Sequence, residues 1–341
     1  RRVAAVGRVS SRDRAADGCR RRNAAALRGG VLGAVGEVVA SGERSAPASG
    51  PTAISDCEDC TMSHSREERA EQRRRDGSND EAVEEEIEVE FEEVVGEGAE
   101  RLHRTFRATL VTGFLGGVEV GVGILVYLGI LHETGDHLLA GLGFSVGLIA
   151  LLLAHSELFT ENFLMPVAAL VAREGTAMQM LKLWGGTLLS NLIGGWLIMA
   201  IIVAAFPDWH PVLAETAQHF IDAPFNLEFA ALAILGGAVI TLMTRMQAGT
   251  ESEPAKIVAA VVGGFILAGF QLFHSILDSL FAFGAIISGA PITYLDWLLW
   301  FLPVLGLNLA GGLLLVTLLR IVRTGELFKL RRRRNEARNE S

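Results

Sequence analysis

The stretch that most constrains this chain is His155-Ser156-Glu157-Leu158-Phe159-Thr160-Glu161-Asn162, a polar octet with apolar runs on both sides. Before it, Leu138 to Ala154 is almost wholly Leu, Gly, Ala, Ile and Val; after it, Phe163 to Ala172 is apolar again. A helix that spans hydrocarbon needs about 20 apolar residues, and neither run has that many. Together they read as one crossing interrupted at mid-depth. Irregular backbone at that depth is tolerated only where protein buries it or water reaches it. Broken helices of this kind mark substrate sites in transporters.

Half of the 341 residues are hydrophobic, although the first hundred are very polar. The apolar residues are therefore concentrated between about Phe106 and Val322, and the pattern predicts an all-α integral membrane protein with one membrane domain. Six crossings are expected, at roughly 107–131, 138–172 (broken), 178–206, 225–246, 255–289 (broken) and 297–322. Between residues 108 and 324 the only Lys or Arg residues are Arg173, Lys182, Arg245, Lys256, Arg320 and Arg323. Under the six-span count all of them lie at the end shared with both termini. Cytoplasmic ends collect Lys and Arg, so both termini are expected in the cytoplasm. The net charge of −9 comes largely from the polar N-terminal region and says little about partners.

Residues 1–80 are Arg-, Ala-, Ser- and Gly-rich without sustained apolar periodicity, which predicts a disordered tail. Either an Arg-rich leader or upstream sequence foreign to the natural protein accounts for the first sixty, with Met62 a candidate natural start. Cys19, Cys57 and Cys60 all precede Met62, and Cys57-Glu-Asp-Cys60 has no second pair to complete a zinc or redox site. Residues 81–104 form an acidic cytoplasmic segment, read first as a solvated helix. Val83, Ile87, Val89, Phe91, Val94 and Val95 offer the alternative of an amphipathic helix packed under the cytoplasmic mouth. The membrane channel domain then covers 105–324, and residues 325–341 are a basic cytoplasmic tail. Its Arg331–Arg334 run follows from topology and attraction to anionic lipid headgroups rather than nucleic-acid binding.

Internal repetition organises the membrane domain. Leu115-Gly-Gly-Val118 recurs as Leu235-Gly-Gly-Ala238, Glu157-Leu-Phe-Thr160 as Gln271-Leu-Phe-His274, and Asn191-Leu-Ile-Gly-Gly195 as Asn308-Leu-Ala-Gly-Gly312. The three matches keep the same order at nearly one offset. With three spans per copy, the second must enter from the opposite face, giving a 3+3 inverted repeat whose broken spans meet near the midplane. Asn191 and Asn308 lie inside spans, where an unpaired amide costs about 1–3 kcal/mol or more. They are expected to bond the freed backbone of the broken segments.

These motifs resemble the formate/nitrite transporter family over roughly Leu102 to Leu330. Gly143-Phe-Ser-Val-Gly-Leu148 followed by Glu157-Leu-Phe-Thr160 is similar to the family's second span and its LFT loop. Gly269-Phe270 with His274-Ser275-Ile276 resembles its broken fifth span. The resemblance implies an aquaporin-like fold assembled as a homopentamer in a prokaryotic plasma (inner) membrane. It also implies one pore per protomer, with a central His between two apolar constrictions, for formate, nitrite, hydrosulfide or their neutral conjugate acids. Carried over by position, Phe144 and Phe265 belong to the outer constriction, and Leu148, Leu158 and Phe159 to the inner one. Thr160 and His274 then face each other between them. The loop differs from the usual pattern: Glu161 replaces a small residue, Asp278 stands where the family has Asn, and two extra residues separate Gly269-Phe270 from His274. These departures are similar to a branch whose loop reads LFTEN.

The chemistry of these residues sets the alternatives. His274 can be neutral, so it is cheaper in a membrane interior than Arg, Lys or Asp, and its expected task is to give a hydrogen bond or proton to an arriving anion. Asp278 either pairs with His274 one turn away or caps a helix end. Glu157 and Glu161 are expected to accept from freed N–H groups at the start of the second half-helix. Glu119, in the first span, has no partner visible in sequence. Thr160, Ser275, His274 and Asp278 contain the residue types of a hydrolase, and His274, Glu157 and Asp278 those of a metal site, but no nucleophile-elbow or zincin motif accompanies them. No enzyme activity, metal or cofactor is therefore expected. The rivals to an anion channel are a non-conducting membrane scaffold on the same fold and a channel for small neutral solutes.

Overall fold

The computed structural model describes residues 81–339, so the expectations for the N-terminal 80 residues lie outside the described part. Glu81–His103 forms a first helix, α1. Phe106–Thr134 forms α2, opened by the Thr105 hydroxyl accepting from Ala108 N–H and closed by Gly135 in the left-handed conformation, φ 67°. His137–Leu153 forms α3, capped by Asp136. A 3-10 turn at Phe159–Phe163 and a short helix α4, Met165–Val171, follow after a break. Ala177–Ala205 is α5, opened by a reciprocal Thr176–Gln179 capping box. His210–Ile221 is α6, a helix in the interval between the crossings expected at 178–206 and 225–246. Leu227–Ala248 is α7 and Glu253–Gly269 is α8. A second break separates α8 from α9, Leu277–Ile287. Tyr294–Arg323 is α10, π-helical over Gly311–Leu318, and Gly325–Asn339 is α11.

Four of these helices, α2, α5, α7 and α10, are long and apolar enough to cross a membrane. Each leaves Leu, Val, Ile or Met side chains exposed along one side, for example Val111, Leu189, Leu242 and Leu299. The described part is thus an all-helical membrane protein with lipid-ready outer faces. The polar stretches beginning at Ala154 and Phe270 interrupt two further apolar segments where the sequence anticipated. Each break turns on one non-glycine residue in the left-handed region, His155 at φ 53° and Gln271 at φ 51°.

Helix α1 is not a solvated helix. Phe91, Val94 and Val95 are buried against Leu164, Met165 and Ala168 of the α4 region, and Phe91 meets Phe328 of α11 edge to face at 4.7 Å. Its apolar side is packed as that of an amphipathic helix. Ionic contacts fasten its acidic side: Arg320 holds Glu90 at 2.5 Å, and Arg331 pairs with Glu92.

Candidate functional site

The two breaks are built with the same parts. Asn191 of α5 donates through Nδ2 to Gly113 O and Glu157 O at 2.6 and 2.9 Å, and accepts through Oδ1 from Phe159 N–H at 2.8 Å. Asn308 of α10 donates to Ala233 O and Phe273 O at 2.7 and 2.9 Å and accepts from Ser275 N–H at 2.8 Å. Each amide thereby replaces helix bonds that the break removes, so neither unwound segment leaves these backbone groups orphaned in an apolar interior. Close approach of the neighbouring helix is what brings the amide within reach. A Cβ on Gly116 would fall 2.3 Å from Glu157 O, and one on Gly236 2.2 Å from Phe273 O.

This arrangement corrects the register of the repeat at its centre. Glu157 matches Phe273 and Phe159 matches Ser275 by their bonds to the asparagines, and His155 matches Gln271 by its backbone conformation. Aligning the two Leu-Phe pairs, as the sequence suggests, misses this by two residues. Thr160 and His274 are accordingly not equivalent positions. They meet nonetheless: Thr160 Oγ1 lies 2.9 Å from His274 Nε2, with Thr160 fully buried and His274 1% exposed. The other ring nitrogen of His274 accepts from Leu277 N–H at 3.1 Å. A nitrogen that accepts carries no proton, so the neutral ring holds its proton on Nε2, the atom facing Thr160.

The carboxylates near the breaks have separate tasks. Asp278 Oδ2 accepts from the backbone N–H of His274 at 2.7 Å. It is therefore a cap at the start of α9, not a partner of the imidazole ring. Glu161 Oε2 accepts from Leu158 N–H at 3.3 Å, the capping role expected of it. Glu157 does otherwise: its side chain binds Arg104 at 2.5 Å and Arg101 at 3.6 Å, both from the end of α1 and the turn after it. Arg101 also donates to Asn162 Oδ1 at 3.1 Å. Glu119 accepts from Ser156 Oγ at 2.9 Å, which supplies the partner that the sequence did not reveal.

Of the apolar residues expected to line constrictions, Phe144, Leu148 and Leu158 are buried in one core. Phe159 packs at 5.1 Å on Phe163 and 6.2 Å on Trp184. Phe265 is half-buried, with its ring against Phe270 at 5.8 Å. Beside His274 the larger aromatic group is one that sequence reading missed, in which Phe273 touches Phe220 of α6 and Phe229 of α7 at 5.7 and 5.1 Å. It went unseen because α6 was not anticipated as a helix. Arg101 and Arg104 were likewise missed, although two arginines three apart at the end of an acidic helix were a readable signal. Their side of the breaks opens into a cavity of about 720 Å³ that also reaches His155, Glu157, Glu161 and Lys256. Among the described residues, no group of three His, Cys, Asp or Glu side chains is arranged to hold a metal ion.

Two interrupted helices that meet tip to tip within a bundle of apolar helices, enclosing a buried Thr–His pair, define a polytopic helical membrane protein of the transporter class. The sequence profile described as formate/nitrite transporter matches residues 88–322, and the chain belongs to that family. It is similar to the formate channel BtFdhC of Bacillus thuringiensis, 27% identical over 64% of this chain and 88% of that one. Inner membrane protein YfdC of Escherichia coli is 26% identical over 67% of this chain and 76% of its own. A solved structure described as a pentameric formate channel with formate bound shares the fold, with a TM-score of 0.56 at 20% identity over 64% of this chain and 96% of that one.

Proposed function

We propose that this protein is a homopentameric channel or transporter for small monovalent anions of the formate, nitrite or hydrosulfide type, or their neutral conjugate acids, with one pore per protomer. The observation that carries this reading is the Thr160–His274 pair, buried where two helix breaks converge. In this reading each interrupted segment is one crossing, giving six in a 3+3 inverted, aquaporin-like layout with both termini in the cytoplasm. The matching asparagine supports at Asn191 and Asn308 favour the repeat, and the one-sided Lys and Arg residues favour the orientation.

The chemistry follows from the tautomer. The Nε2–H of His274 donates to the Thr160 hydroxyl, which is then free to donate to an arriving anion. An anion held there can take up a proton from the hydronium of the solution filling the vestibule, leaving water behind, and continue as the neutral acid. A neutral acid avoids the desolvation cost of a bare ion, which is of order 20 kcal/mol in the idealised limit, while it passes Phe144, Leu148, Leu158 and Phe159. Phe265 is the remaining candidate lining residue. Purified protein in liposomes, assayed for formate, nitrite and hydrosulfide flux, tests the proposal, and His274→Asn should sharply lower that flux in an intact pentamer.

A scaffold reading draws on one observation, the closure of α1 over the first break through Arg101, Arg104 and Glu157. Intact pentamers that pass none of the three anions and no small neutral solute would establish it.

A further inference from the structure

The cavity on the α1 side of the first break carries more negative charge than the handling of an anion explains. Its volume is about 720 Å³, and seven glutamates line it against two arginines and one lysine. All three cations are already engaged. Arg101 holds Glu97 at 2.6 Å, Arg101 and Arg104 both hold Glu157, and Lys256 lies 3.9 Å from Glu253. Glu93 and Glu100 of α1 and Glu251 of the turn before α8 are exposed and, among the described residues, meet no cation. Glu93 and Glu100 are two helical turns apart, so they share one side of α1 at a separation of about 10.5 Å along its axis. Leu151, Leu152, Met165 and Ala248 give the same cavity an apolar lining. At its inner end Glu157, 2% exposed, gives Oε1 to the two arginines and leaves Oε2 with no hydrogen-bond partner.

We propose that this cavity binds a short alkyl diamine, a dication whose two charges are held apart by methylenes, and that the bound diamine closes the mouth on the α1 side. Binding rests on the cavity alone, whereas the closing of the mouth rests on the channel reading above. A cleft lined by one sign of charge between low-dielectric walls gathers the opposite ion. The spacing decides which cation it suits. The unpaired carboxylates stand apart, and no group of three His, Cys, Asp or Glu side chains converges on one point among the described residues. A compact metal ion therefore finds no shell of ligands here. Two ammonium groups separated by about four methylenes reach both Glu93 and Glu100 through charge-assisted hydrogen bonds, and the methylenes leave water along the apolar lining. A monoamine satisfies only one of the two carboxylates. The bound diamine lies against the loop whose Glu157 and Glu161 flank Thr160, in the way of a solute that crosses this end.

The test has a binding arm and a flux arm, both on the full-length pentamer, with diaminobutane, butylamine and magnesium as probes. In detergent, calorimetry should show diaminobutane binding saturably, about ten-fold or more tighter than butylamine or magnesium, and weakening as salt is added. Glu93→Gln combined with Glu100→Gln should weaken that binding by about ten-fold or more while the pentamer stays assembled, since both side chains are exposed. Glu326→Gln, on α11 and outside the cavity lining, should leave it unchanged. In liposomes, diaminobutane on the α1 side should slow formate flux several-fold, and the same amine on the α6 side should not. No saturable diamine binding, equal binding of magnesium, or full affinity in the double variant overturns the site. Diamine binding that leaves formate flux unaltered overturns the closing of the mouth. Diamine binding to a protein that passes no formate retains the site and overturns the channel reading instead.

Discussion

Thr160 Oγ1 and His274 Nε2 lie 2.9 Å apart although 114 residues separate them. The first comes from a 3-10 turn and the second from the unwound residues before α9. Both are held by side chains that belong to other helices. Asn191 fixes the backbone at Glu157 and Phe159, and Asn308 fixes it at Phe273 and Ser275. The pair is therefore a product of four elements, and its geometry depends on none of them alone.

His274→Asn and Thr160→Val should leave the pentamer assembled and lower anion flux by an order of magnitude or more. Asn keeps a donor without titrating, whereas Val removes the hydroxyl relay. Asp278→Asn should keep flux, because an amide oxygen can still accept from His274 N–H. Asp278→Ala should cost about 1 kcal/mol of stability by loss of that cap. Flux in liposomes, read beside size-exclusion profiles, separates these outcomes. Loss of the pentamer in His274→Asn would make the histidine a packing residue.

Asn191→Ala and Asn308→Ala should be similarly and severely destabilising. Each strips three hydrogen bonds from a break and leaves buried backbone groups unpaired, at about 1–3 kcal/mol per group. Thermal unfolding in detergent measures this. A large loss at one site and none at the other would contradict the shared construction of the two breaks.

Glu157→Gln should loosen α1, because Glu157 holds both Arg104 and Arg101 by ionic contacts. Glu157 is 2% exposed, and bonds to a charged group at such a site are worth about 1.5–3 kcal/mol. Hydrogen exchange along Phe91–His103 should speed up by ten-fold or more. Glu326→Gln, which removes the exposed Lys329 pair, should change nothing, as surface ion pairs seldom matter.

A reporter fused at Glu215 should be external and one at Thr250 internal. The reverse result at either site removes the six-crossing topology and with it the inverted repeat.

The sequence by itself determined where the membrane helices run, because hydrocarbon demands long apolar stretches and a polar octet inside one cannot hide. Thr160, His274, Asn191 and Asn308 were legible for the same reason, as polar groups in an apolar tract need partners. What the tertiary structure decided was which atom meets which. The register of the repeat at the breaks turned on the carbonyls that two asparagine amides capture across helices, and the Leu-Phe pairs pointed two residues away from it. Whether Asp278 faced a ring or a backbone N–H depended on a local turn that spacing leaves open. Glu157 found Arg101 and Arg104 only because α1 folds back against α4, a long-range contact that burial of Phe91, Val94 and Val95 drives and periodicity cannot aim.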